Sequence, residues 1–297
     1  MLAMLKELLK VPVTDRSVGL PFDFDALVAP FSRPDGTVLG PFNPPHFGFV
    51  QPDDAPLRAE VGFLLRSIID AGDRFRFLVL GSAPGEWAVR AQRAYQLCHP
   101  QGDFMSINIE GDLGHIEMMR QFFEDNNGDT KRNAIIFGAV AQQNGWAYFP
   151  IINSAIDWGA GIASISTEMG ALESNISMTD RAINDRINTN YGKPLQFRTV
   201  MALSLEFLLS TIGEVDYVHC DIQGSEIDVF PAQMKPMNEF VRCCCIATHG
   251  ANVELSLLEV FEKEGWMLEA RIPGHFGDTG GHDGAFVWTN PRLYRPK

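Results

Sequence analysis

Apolar and polar positions along the chain change period repeatedly, and each change marks an element. Over residues 59–71 (AEVGFLLRSIIDA) apolar side chains recur three and four apart, the spacing of one helix face. A Gly-Asp pair ends that pattern. Residues 75–80 (FRFLVL) then form a short, mostly apolar run, as in a buried strand. Further strands are predicted at 104–109, 134–137, 217–222, 241–248, 266–272 and 284–289. Helices are predicted from residue 86, at 115–124, at 204–210, after residue 224 and at 253–264. Two stretches break the alternation. Residues 140–152 (VAQQNGWAYFPII) carry an Asn-Gly pair flanked by apolar residues, which predicts a hairpin. Residues 153–194 are rich in Ser, Asn, Gly and Thr and predict an insertion with one short helix near 180–187. An insertion of that length is more often a functional flap than a passive linker.

Repeated strand–helix units imply a doubly wound, Rossmann-like α/β domain, with a mostly parallel seven-stranded sheet and helices on both faces. Ahead of it, MLAMLKELLKVP has apolar positions at helical spacing and predicts an amphipathic helix docked on the body or on a second subunit, a route to a homo-oligomer. No basic leader, cleavage site or stretch near twenty apolar residues accompanies it, so membrane insertion is not expected. Residues 11–54 are rich in proline and phenylalanine and predict an arm or cap. The chain is thus divided into residues 1–72, helix and arm, and residues 73–297, the main domain with its insertion at 153–194.

The 24 Lys and Arg against 37 Asp and Glu give a formal net charge of -13, a field that repels polyanions and speaks against nucleic acid and anionic membranes as partners. Cys98, Cys220 and the run Cys243, Cys244 and Cys245 make an odd set in which three neighbours cannot pair with one another. This is no disulfide framework, and it suits a reducing cytoplasm. Without a Cys-x-x-Cys spacing zinc is not expected either, and the thiols read as small core residues.

In a doubly wound sheet, ligands bind beyond the carboxyl ends of the strands. The strand at 75–80 runs into GSAPGE: Gly81 lets backbone approach a ligand, Gly85 opens the next helix, and the free N–H groups there attract a carboxylate or other anion. A plain tight turn explains such a stretch equally well. Glu110 closes the next strand, where a carboxylate can accept two hydrogen bonds from a ribose diol, or simply be an exposed acid opening a loop. Asp221 ends the strand at 217–222 and is costly there unless paired, used, or capping the following helix. His249 follows the adjacent strand, and the pair makes a base with its orienting group or two scaffold residues.

From about residue 77 to 289, the elements VLGSAPGEW, INIEGD, GAVAQQNGWAYF, DIQGSE and IATHG resemble, in order, the pattern of FkbM-type S-adenosylmethionine-dependent methyltransferases. That resemblance implies a class I methyltransferase-like domain. It further implies that Gly81, Ser82, Ala83 and Gly85, with Glu86 of the same motif, line the methionine end of S-adenosylmethionine, that Glu110 holds the ribose, and that Gly138 and Ala139 lie near the adenine. The segment WGAGIASIS is loosely similar to the stretch before the family's insertion. Two positions depart from the pattern: Val79 stands where an acid is usual, and Gln223 replaces a glutamate, which thins the carboxylates a divalent metal would need. The implied reaction is O-methylation of a hydroxyl on a small molecule, sugar or natural product, with His249 as the base and Asp221 beside it. The alternatives are an inactive S-adenosylmethionine-binding regulatory or assembly protein and an FtsJ-like RNA methyltransferase, whose Gly-Ala-Ala-Pro-Gly-Gly-Trp turn is similar to GSAPGEW. The loop 274–284, with His275, Asp278, His282 and Asp283, reads as a polar connection rather than a metal site.

Overall fold

The computed structural model of the chain describes residues 31–32, 38–39, 55–126, 131–152, 160–167, 196–274 and 283–293. It begins with a small antiparallel pair, β1 (Phe31–Ser32) and β2 (Val38–Leu39). Then follow α1 (Ala55–Asp70), β3 (Arg74–Leu80), α2 (Glu86–Cys98), β4 (Asp103–Glu110), α3 (Leu113–Asp125) and β5 (Asn133–Phe137). Next come β6 (Ala139–Val140), β7 (Gly145–Ile151), β8 (Ser164–Ser166) and β9 (Gln196–Leu203). The last part comprises α4 (Leu205–Ile212), β10 (Tyr217–Cys220), α5 (Glu226–Phe240), β11 (Cys243–Thr248), α6 (Ala251–Lys263), β12 (Met267–Ile272) and β13 (Gly284–Thr289).

The seven apolar runs pair into one sheet in the order β12-β13-β11-β10-β3-β4-β5. β5, β4, β3, β10 and β11 run parallel, while β13 lies antiparallel to both β11 and β12. This is the Rossmann-like, doubly wound architecture the alternation implies. Along β3 the side chains alternate as a strand requires: Phe75, Phe77 and Val79 pack with α1 and α2, whereas Leu78 and Leu80 pack with α4, α5 and α6. β11 does the same, with Cys243 and Cys245 on one face and Cys244 on the other. All three are free, buried thiols, as is Cys220. The strand order reverses between β3 and β10, so the crevice where ligands bind such sheets opens beyond Leu80 and Cys220, which stand side by side.

The region around the Asn-Gly pair departs from expectation. β6 and β7 do not pair as a hairpin; β9, not predicted as a strand, lies between them, parallel to β6 and antiparallel to β7, in a second sheet ordered β6-β9-β7-β8. The Ser204 N–H donates to Oδ1 of Asn144 at 2.9 Å, so the turn wraps over the end of a strand distant in sequence instead of closing on itself. The predicted N-terminal helix and the helix near 180–187 lie outside the described residues. No helix among the described residues is long and apolar enough to cross a membrane.

Candidate functional site

The GSAPGE turn is built at the switch point, and its backbone is unusual. Gly81 has φ 74° and lies so close to the Asp221 carbonyl oxygen that any Cβ would overlap it. Gly85 has φ 86°, and a Cβ there would lie 2.6 Å from Cγ of Met119 on α3. Both positions demand glycine. Ala83 also takes a left-handed φ of 46°, and its N–H donates to Oε2 of Glu110 at 2.8 Å. Ser82 is buried and donates through Oγ to the Val79 carbonyl at 3.1 Å. The N–H groups of Gly81 and Ser82 both donate to the Ile109 carbonyl and that of Gly85 to the Ser82 carbonyl, so the turn is a backbone cradle fixed by the neighbouring strand rather than the set of free donors the sequence implies.

Glu110 is 6% exposed, and each of its oxygens accepts a backbone N–H: Oε2 that of Ala83, Oε1 that of Asp112 at 2.7 Å. Its carboxylate fixes the turn as well as facing the crevice, and each oxygen keeps a further lone pair. His115, buried on α3, places Nδ1 3.7 Å from Oε1 of Glu110. Burial pushes this imidazole's pKa down, but Glu110, Asp112 and Glu86 outweigh it and hold the group above its ordinary value. In the first turn of α2, Glu86 is 3% exposed, burial raises its pKa, and its Oε2 has no hydrogen-bond partner. Gly138 donates its N–H to the Glu110 carbonyl at 2.9 Å, which places Gly138 and the buried Ala139 beside the same strand end.

Across the switch point, Asp221 follows β10 and His249 follows β11, and the structure does bring them together. Nε2 of His249 lies 3.2 Å from Oδ1 of Asp221 and 3.6 Å from Oδ2 of Asp283. The third partner is Glu226, fully buried at the start of α5, whose Oε1 lies 3.0 Å from Nδ1 of His249. The same carboxylate accepts the N–H groups of Ile222 at 3.0 Å and Gly224 at 2.8 Å, pinning a turn in which Gln223 has a left-handed φ of 54°. Burial alone would lower the His249 pKa, but Asp221 and Glu226 push it up to about 11. A shift in that direction favours the imidazolium, the form that pairs with both carboxylates. Asp221 shows the converse: burial would raise its pKa, but His249 foremost holds it below the usual carboxylate range. Its side chain is 38% exposed, and its Oδ1 also accepts from Nε2 of Gln223 at 2.7 Å.

The second sheet roofs the crevice. Phe149 of β7 packs on Gly111, where a Cβ would lie 2.6 Å from the ring, and Gly161 lies against the backbone of Gln223, where a Cβ would meet the carbonyl oxygen at 2.9 Å. At the far side, Glu254 of α6 accepts from Gly274 N–H at 2.6 Å and Thr248 Oγ1 at 3.1 Å, clasping the approach to the last strand. His275, Asp278 and His282 lie outside the described residues. Among the described residues no group of three or more His, Cys, Asp or Glu is arranged to hold a metal ion.

The catalytic and cofactor-site residues named from sequence thus sit along one edge of the sheet, from Gly138 through Glu110 and the turn to Asp221 and His249. Glu226 and His115 were not singled out. Glu226 was within sight, because a glutamate one residue past the helix-opening serine of DIQGSE is placed to reach back to the turn's N–H groups. Nothing in the local sequence marks His115, whose role depends on a strand end folded against it.

No family model matches the chain. A protein of Jannaschia sp. (strain CCS1) described as a "Putative methyltransferase" is 25% identical over 249 residues, covering 80% of each chain. Among solved structures, the methyltransferase FkbM of Methylobacillus flagellatus KT is 9% identical with a TM-score of 0.44, covering 73% of this chain and 44% of that one. The O-methyltransferase of Bacillus cereus, solved in complex with SAH, is 11% identical with a TM-score of 0.41, covering 76% and 79%.

Proposed function

We propose that the protein is an S-adenosylmethionine-dependent methyltransferase, acting most directly on a hydroxyl of a small molecule, sugar or natural product. The observation that carries this reading is the hydrogen bond from Ala83 N–H to Glu110 Oε2, which joins a glycine-bounded backbone cradle to an acid at the adjacent strand end. The residues fit such a cofactor. The cradle at Gly81 excludes even a methyl group, the buried Oε2 of Glu86 is an orphaned acceptor suited to an ammonium group, and Glu110 retains lone pairs for a diol. The description of the Jannaschia relative agrees with this reading.

S-adenosylmethionine, when bound, supplies a methyl group on a sulfonium, so the protein contributes chiefly alignment and a dry site. The roof packs onto the crevice at two points, Phe149 on Gly111 and Gly161 on Gln223. Because the imidazolium form of His249 is favoured, its role is to orient Asp221. The acceptor's hydroxyl proton goes to Oδ2 of Asp221, the oxygen not engaged by Gln223 or His249, and from there to water. A cofactor-binding protein without transferase activity is the second reading, supported by the Gln223 amide that occupies Oδ1 of Asp221. Calorimetric titration with S-adenosylhomocysteine, followed by transfer of labelled methyl to a panel of sugars, polyketides and lipids, tests both. Absence of binding would sink both; binding without transfer to any acceptor supports the second.

A further inference from the structure

Acids outnumber bases by 37 to 24 in this chain, yet one arginine in the roof has no acidic partner among the described residues. Arg198 stands on β9 directly opposite Phe149 of β7, so the two side chains leave the same face of the second sheet. That face is the one turned to the crevice. Phe149 rests on Gly111, the residue after Glu110; Ala160 and Ile162 pack against the same cluster, and Gly161 between them rests on Gln223. The face therefore reaches from the ribose-side strand end to the Asp221 turn. Nε of Arg198 is buried without a hydrogen-bond partner, and among the described residues no carboxylate lies within ion-pair distance of its guanidinium. A buried N–H donor left unpaired destabilises a fold, and a bound acceptor group removes that penalty.

We infer that Arg198 binds an anionic group, a carboxylate or a phosphate, on the acceptor molecule that enters between the roof and the strand ends. The inference rests on the proposed methyltransferase reading and adds a substrate class to it: hydroxylated acids or phosphate esters rather than neutral sugars. A guanidinium suits this task because its planar fork matches either anion through two parallel hydrogen bonds and stays charged at every working pH. Arg198 comes from β9 of the roof and the GSAPGE turn from the end of β3, so the anion site is distinct from the cofactor cradle in its elements.

The test is titration of the full chain, saturated with S-adenosylhomocysteine, with inorganic phosphate and with malonate. Arg198→Gln and Arg198→Lys are compared with Arg120→Gln, which removes an exposed charge on α3. The expected result is that wild type binds at least one anion, that Arg198→Gln weakens it by about 10- to 100-fold, and that Arg198→Lys retains part of the affinity. Arg120→Gln should change nothing, and S-adenosylhomocysteine affinity should be unchanged in all three variants, which also shows that they fold. Whichever anion binds more tightly identifies the group. The inference is overturned if neither anion binds the loaded wild type, if Arg198→Gln binds as well as wild type, or if phosphate displaces S-adenosylhomocysteine. Should S-adenosylhomocysteine itself fail to bind, the cofactor reading falls instead, and the same titrations on the free chain decide Arg198 separately.

Discussion

Nδ1 of His249 lies 3.0 Å from Oε1 of Glu226, a carboxylate with no exposure to solvent, and this pair decides what the imidazole can do. With Asp221 and Asp283 on its other nitrogen, the charged groups paired with the ring among the described residues are all negative. The histidine ties the end of β11 to the turn after β10, and these carboxylates favour its charged form.

A stability trend with pH follows. The His249 pKa is pushed up to about 11 in the fold and stands near 6.5 in the unfolded chain, so its stabilisation is full below about pH 6.5. It declines as pH rises through that interval and is gone above the folded value, with a slope of up to about 1.4 kcal/mol per pH unit. Urea midpoints for wild type should fall between pH 7 and pH 9, and His249→Gln should flatten that fall. Equal slopes in the two proteins would mean that the ring is neutral in the fold.

Glu226 should matter at least as much to folding as to activity. Glu226→Ala leaves the buried Ile222 N–H, the part-buried Gly224 N–H and Nδ1 of His249 without their partner, and breaking such a buried pair costs about 3–5 kcal/mol. Glu226→Gln, which keeps one carbonyl oxygen, should cost less. Urea denaturation of both variants is the check, and a loss under about 1 kcal/mol for the alanine variant would contradict the clamp.

The strands of the main sheet were legible because each is an apolar run with its own alternation: Phe75, Phe77 and Val79 against Leu78 and Leu80. The edge residues were legible for a related reason, since Glu110, Asp221 and His249 are polar groups directly beyond apolar strands. The roof was not. An Asn-Gly pair signals reversal but cannot say that β9, some fifty residues further on, will lie between the two flanking strands. The charge state of His249 was hidden for the same cause: its three carboxylates come from the end of β10, the start of α5 and the start of the last strand, and only the fold brings them within 3.6 Å.

Glu110→Ala should weaken S-adenosylhomocysteine by about 1.5–3 kcal/mol, measured by calorimetry. The loss has two sources, the diol contacts proposed for the free lone pairs and the N–H groups of Ala83 and Asp112 that hold the turn. Gly81→Ala, which drives a methyl group into the Asp221 carbonyl, should abolish binding outright. Wild-type affinity in either variant would move the cofactor away from this edge.

Turnover should survive chelation. The Gln223 amide stands where a further carboxylate would have joined Asp221, and an amide is a poorer ligand for a hard divalent cation. Loss of activity in EDTA with recovery on Mg²⁺ would place Asp221 in a metal shell instead.

Asp221→Asn separates the two proton routes, using whichever acceptor the labelled-methyl screen finds. If Asp221 receives the hydroxyl proton, the amide should lower kcat by roughly a hundredfold to ten-thousandfold while S-adenosylhomocysteine affinity changes little. The pH profile is the sharper readout. The Asp221 pKa lies below its ordinary value of 3.8 and that of His249 at about 11, so wild-type kcat should show no titration near 6.5. An imidazole base would instead give an acidic limb close to that value. His249→Gln should then keep the flat profile at a reduced rate, because Asp221 remains but is less firmly oriented. A limb near 6.5 in wild type that disappears in His249→Gln would restore the histidine as the base and leave Asp221 as its orienting partner.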